Sequence, residues 1–139
     1  MAVEINITYQ GGLNCAATHG PSRQTLTTDA PVDNGGKGAA FSPTDLVATA
    51  FGSCMATIMG LVAQRNKLDL EGLQIQVLKE MTADPVRRIG TLKTRLVFPR
   101  GKPLTTANRA ELEAAARTCP VALSLHPDIK KVVEFVYPD

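Results

Sequence analysis

Apolar and polar residues alternate from the start of the chain. Val3, Ile5, Ile7 and Tyr9 interleave with Glu4, Asn6, Thr8 and Gln10. A period of two belongs to a strand with one face turned to water. Gly11-Gly12 predicts a turn and 13–18 a returning strand. His19-Gly20-Pro21-Ser22 predicts a second turn, and 23–28 a third strand, so the opening reads as a meander. The period then changes. Ser42-Pro43-Thr44-Asp45 has the signature of a helix start, with serine for the N-cap and proline in the first helical position. Aspartate stands third, where the helix dipole favours its charge. From there Leu46, Ala50, Cys54, Ile58 and Val62 recur every four residues, which predicts one long helix to about Asn66.

Beyond the helix, Leu73, Ile75, Val77 and Met81 read as a strand, Asp84-Pro85 as a turn, and Leu92, Thr94, Leu96 and Phe98 as the next strand. Thr105 or Thr106 caps an alanine-rich helix through about Arg117. Pro120 breaks it, 121–125 forms a short helix or turn, and 129–137 closes the chain as a strand. This order predicts a single α+β domain over 1–139, with largely antiparallel sheets wrapped around a long central helix.

Composition narrows the picture. The chain has 139 residues, 44% apolar and 20% charged, enough for one domain with a hydrophobic core. Tryptophan is absent, so aliphatic side chains must fill that core. A net charge of +2, with no basic run longer than two residues, argues against nucleic acid as a partner. Three cysteines without a C-x-x-C make neither a disulfide framework nor a zinc site. The odd count, with no basic-then-apolar leader at the start, points to a reducing cytoplasm. The uncharged stretch 46–63 is long enough to cross a membrane, but Thr49, Gly52, Ser53, Thr57 and Gly60 interrupt it. A buried core helix is therefore expected, with no membrane partner.

The candidate chemistry lies with the thiols. Cys119 directly precedes Pro120 and so stands at the N-cap of the short helix, where free N–H groups would favour its thiolate. Cys54 sits mid-helix on an apolar stripe and becomes a good nucleophile only if the fold brings it a cation. Arg23, Arg87, Arg88 and Arg117 are the candidates. The plain alternative is that all three cysteines pack as small hydrophobes, and Cys15, on a strand beside a turn, is read that way. His19 and His126 sit at turns, and no motif supports a Cys–His pair. The charges from Arg109 to Glu113 read as a solvated face. Asn34-Gly35-Gly36-Lys37-Gly38 lacks the Walker spacing of a phosphate cradle; its glycines read as allowing tight turns close to another surface.

Taken together, Gly35-Gly36-Lys37-Gly38, Ser42-Pro43-Thr44-Asp45-Leu46, Cys54 ten residues after Thr44, and Thr118-Cys119-Pro120-Val121 resemble the OsmC/Ohr family over nearly the whole chain. The resemblance implies an intertwined homodimer and a site that reduces organic or inorganic hydroperoxides. Cys54 would match the peroxidatic cysteine and Cys119 the resolving one, with a dithiol as reductant and no metal or bound cofactor. Two positions depart from the pattern. Leu13 stands where an arginine after a Gly-Gly turn is expected, and Thr44 stands where a glutamate is expected. Arg88, with Arg87 second, is then expected to supply the missing cation from the loop after Asp84-Pro85, from the same or the other subunit. The resulting expectation is a thiol peroxidase of oxidative-stress defence. The alternatives are a non-catalytic small-molecule binding module or a redox sensor.

Overall fold

The structure is a computed structural model that describes residues 1–138. Met1–Val47 and Ala48–Asp139 form two compact units. In the first, β1 (Ile5–Gly11), β2 (Asn14–His19) and β3 (Thr25–Asp29) make an antiparallel sheet in that order. Gly11, Gly12 and Leu13 all take positive φ, so the β1–β2 turn needs the two glycines and strains the leucine. The register pairs Ile7 with Ala17 and Ala17 with Leu26, and Tyr9 with Cys15. Ile5, Ile7, Tyr9, Cys15, Ala17 and Leu26 therefore share one face, as the alternation required. That apolar face is open: Ile7 is 65% exposed and Tyr9 63%.

β3 ends at Asp29, which is buried. Its carboxylate accepts the backbone N–H groups of Lys37 at 3.3 Å and Ala39 at 3.0 Å. Gly36 N–H donates to Pro31 O and Gly38 N–H to Ala30 O. The donors a phosphate would need are thus committed to the loop itself. Gly36 lies so close to Ala30 that a Cβ there would stand 1.8 Å from the carbonyl oxygen. Close approach of backbone to backbone is what these glycines allow.

The loop delivers the chain to α1 (Pro43–Arg65). Its start is a reciprocal cap. Ser42 Oγ accepts the N–H of Asp45 at 3.1 Å, and the Asp45 carboxylate accepts the N–H of Ser42 at 2.9 Å. α1 is the one described helix long and apolar enough to cross a membrane. Within the second unit it is a core helix: Phe51, Met55, Met59 and Val62 are at most 3% exposed. The expected stripe through Ala50, Cys54 and Ile58 is only half-buried, and the stripe beside it carries the core. Cys54 therefore stands at the edge of the packing.

The second unit contains β4 (Gln74–Thr82), β5 (Arg88–Val97), α2 (Thr106–Arg117), α3 (Pro120–Ser124) and β6 (Lys130–Val136). β4 and β5 pair antiparallel, but β5 and β6 run parallel. The sheets are largely antiparallel as expected, with one parallel pair because α2 and α3 form a crossover between the last two strands. Leu92 and Leu96 of β5, with Leu112 and Ala116 of α2, are fully buried. α1 is pressed against β4 at Gly52, where a Cβ would meet Val77 Cγ2 at 2.9 Å and Ile75 Cγ2 at 3.3 Å.

Gly52→Leu is expected to lower stability by about 2 kcal/mol through overpacking, seen as an earlier urea midpoint. Gly60→Ala is expected to be neutral or to stabilise by up to about 1 kcal/mol through helix propensity, because a Cβ at Gly60 meets nothing within 4 Å.

Candidate thiol site

Three turns into α1, Cys54 offers a half-buried sulfur on a rigid helix. Cys119 reaches the same place from the other end of the unit. α2 ends at Arg117 with Thr118 as its C-cap, and Pro120 opens α3 at its first position. A residue before proline is driven to extended backbone, and Cys119 has φ −65° and ψ 152°. In that conformation it caps α3, its Sγ accepting the N–H of Ala122 at 3.4 Å. The side chain is fully buried. Cys54 lies near enough to act on its thiol. Two sulfurs distant in sequence are neighbours in the fold, and both are free thiols.

The capping N–H groups do not make Cys119 the thiolate, as its position in the sequence had suggested. Burial is the largest influence and pushes its pKa up. The N–H of Ala122 opposes this, the Cys54 sulfur adds to the rise, and the N–H of Val121 opposes it again. The only titratable group among these influences is Cys54.

Of the candidate cations, Arg88 and Arg117 have partners of their own. Arg88 is the first residue of β5, not part of the loop before it. Its guanidinium donates to the carbonyls of Asp84 and Ile89, both at 3.4 Å, and so fastens the end of the β4–β5 connection. Neither bond reaches Cys54. Arg117 lies over the Phe135 ring, 5.2 Å from its centroid. Arg87 is exposed. Arg23, in the first unit, occupies a turn with φ 65°.

The remaining candidates are structural. His19 Nδ1 pairs with Ser22 Oγ at 2.5 Å within its turn, and His126 Nδ1 accepts the N–H of Asp128. Cys15 sits between Tyr9 and Thr28 on the open sheet face. Leu13 donates its N–H to Tyr9 Oη at 3.3 Å, and the Thr44 hydroxyl is 3.2 Å from Ser42 Oγ. Among the described residues no three potential metal ligands cluster.

One group escaped the sequence. Arg109 and Glu113, read there as a solvated face, hold Tyr137. The Arg109 guanidinium lies 4.1 Å from the ring centroid, and the Tyr137 hydroxyl donates to the Glu113 carboxylate at 2.6 Å. Phe98 stacks against the same ring at 4.4 Å. The spacing of four residues between Arg109 and Glu113 was a usable signal, but their tyrosine comes from a distant strand end. Burial first, then Glu113, pushes the Tyr137 phenol up.

Both raised groups bear on stability in the same sense. A proton held more tightly in the folded state stabilises below the unfolded pKa and ceases to do so as pH rises through the folded one. Urea unfolding is therefore expected to show stability falling above pH 9, the ordinary range for a thiol. Cys119→Ala is expected to flatten the earlier part of that decline and Tyr137→Phe the later part.

The family model described as OsmC-like protein matches residues 35–134. A crystal structure of a candidate osmotic stress induced and detoxification response protein from Psychrobacter arcticus 273-4 is 43% identical. It superposes with a TM-score of 0.89 over 97% of this chain and 96% of that one. The organic hydroperoxide resistance protein OsmC of Legionella pneumophila shares the fold at 19% identity, with a TM-score of 0.77 over 98% of this chain and 97% of that one. The organic hydroperoxide resistance protein OhrB of Bacillus subtilis does so at 17%, with a TM-score of 0.67 over 97% and 98%. No curated protein matches the chain. With a family model spanning most of its length and a solved relative at this identity, the chain belongs to the OsmC-like protein family.

Proposed function

We propose that this protein is a cysteine-based peroxidase of oxidative-stress defence that reduces organic or inorganic hydroperoxides in the cytoplasm. The observation that carries the reading is the nearness of Cys54 to Cys119, whose thiol it influences. Detoxification in the description of the Psychrobacter relative and hydroperoxide resistance in those of the Legionella and Bacillus proteins support it.

The chemistry follows from the two environments. Cys54, the more accessible sulfur, attacks the terminal oxygen of a hydroperoxide ROOH. An S–O bond forms, the O–O bond breaks, and the alkoxide leaves as ROH with the proton Cys54 gave up, so Cys54 becomes a sulfenic acid. Cys119 then attacks the Cys54 sulfur. An S–S bond forms, the S–O bond breaks, and the hydroxyl leaves as water with the Cys119 proton. An external dithiol returns both cysteines to thiols and becomes a disulfide itself. Arg88, expected from the sequence to activate Cys54, donates instead to the carbonyls of Asp84 and Ile89, which supports a bracing role at the β4–β5 end.

The working form is a homodimer built on one domain per chain. The family match runs across both compact units. The sheet face carrying Ile5, Ile7 and Tyr9 is too apolar and too open for a lone chain in water. A second copy is the simplest cover. Light scattering is expected to give the mass of two chains, and Ile7→Glu is expected to give one.

The test of function is mass spectrometry after one equivalent of cumene hydroperoxide or, separately, hydrogen peroxide. The expected product is a Cys54–Cys119 disulfide. Cys54→Ser should reduce peroxide consumption to background, and Cys119→Ser should leave Cys54 as a sulfenic acid. Thiols left unchanged by both peroxides would overturn the reading in favour of a binding module. Oxidation only in the presence of a partner protein would favour a sensor.

A further inference from the structure

We propose that the external dithiol enters the oxidised site at Cys54, and that Cys119 is the sulfur it displaces. This deepens the reading above and rests on it, because it takes the oxidised form to be a Cys54–Cys119 disulfide.

A thiol that opens a disulfide must reach one sulfur and expel the other, so each cysteine has to be weighed in both roles. Access separates them. Cys119 is 0% exposed. It is set between the end of α2 and the start of α3, where Leu112, Ala116 and Ala122 are buried as well. An incoming sulfur finds no surface of Cys119 to approach. Cys54 is half-buried. Thr57 and Leu61 share its side of α1, as the helical repeat requires, and both are exposed. The way in to Cys54 runs along that side.

The leaving role favours Cys119 in one respect and opposes it in another. Negative charge develops on the departing sulfur. For Cys119 it develops where the N–H of Ala122 already donates, at 3.4 Å, and such a bond strengthens as its acceptor becomes an anion. Cys54 lies inside α1, where the backbone N–H groups are committed to the helix ladder. Burial works the other way, because it makes the Cys119 thiolate costly and its departure slow. A reluctant leaving group lowers a rate, whereas a closed approach removes the route, so access decides.

The two steps balance. One thiolate of the reductant attacks Cys54 Sγ. A mixed disulfide forms, the Cys54–Cys119 bond breaks, and Cys119 leaves as a thiolate that takes up the proton the reductant gave up. The second thiol of the reductant then attacks the reductant's own sulfur in the mixed disulfide. An S–S bond closes within the reductant, the bond to Cys54 breaks, and Cys54 takes up the second proton. Between the steps Cys119 is free again beside the mixed disulfide and competes to reclaim Cys54. An adduct of a monothiol, which has no second thiol to finish the exchange, is therefore expected to be short-lived.

The test uses the whole parent protein and needs no peroxide. Diamide closes the disulfide, mercaptoethanol is added, and samples taken at short intervals are quenched in acid denaturant containing excess N-ethylmaleimide. Peptide mass spectrometry then locates each group. The earliest samples are expected to carry mercaptoethanol on Cys54 and maleimide on Cys119, in at least about tenfold excess over the reverse arrangement. Mercaptoethanol found first on Cys119, or on both cysteines alike, overturns the proposal. So does the absence of a Cys54–Cys119 disulfide after diamide, since there would be no bond to open. A protein that shows entry at Cys54 yet leaves hydroperoxides intact defeats the peroxidase reading alone. One that consumes hydroperoxides but takes mercaptoethanol first at Cys119 defeats only the entry point.

Discussion

The nearness of two sulfurs is the constraint on which the functional reading depends, and a single dipeptide makes it possible. Pro120 denies Cys119 a helical backbone and simultaneously begins the next helix. The cysteine is left at a corner with its side chain directed back onto the N–H of Ala122. A thiol held by a corner of this kind cannot wander through rotamers. Its buried surroundings push its pKa up. Cys54 meets it from a helix that is equally rigid, so the pair is positioned by backbone and not by flexible side chains.

The placement of α1 decides how open that pair is. Gly52 lets the helix lie against Val77 and Ile75 at a distance no other residue would permit. With that contact as the pivot, Phe51, Met55 and Met59 turn into the core. Cys54 is rotated to the rim of the packing, half-buried and near Cys119.

The glycine-rich loop and the open sheet face show two ways in which a local pattern can be read for the wrong chemistry. Glycines near a lysine suggest anion binding. Here a buried aspartate of the same chain fills that role by accepting the N–H groups of Lys37 and Ala39. Strict alternation in β1 suggests a strand with its apolar side inward. Here the apolar side exists and is exposed.

Much of the architecture was legible from local rules. Alternation located β1, a capping box located the start of α1, and Cys119-Pro120 located the corner before α3, because each depends on residues within one turn of one another. What those rules could not reach depends on residues far apart. Parallel pairing of β6 with β5 follows from the path of the crossover. The partner of Tyr137, the carbonyls that hold Arg88 and the burial that overrides the capping of Cys119 are all set by distant segments. The sequence by itself determined which thiols are present and what backbone each occupies. Only the tertiary structure decided that Cys54 and Cys119 lie near each other and that burial holds the Cys119 pKa up, because proximity and desolvation are properties of packed surfaces and are encoded in no single stretch of chain.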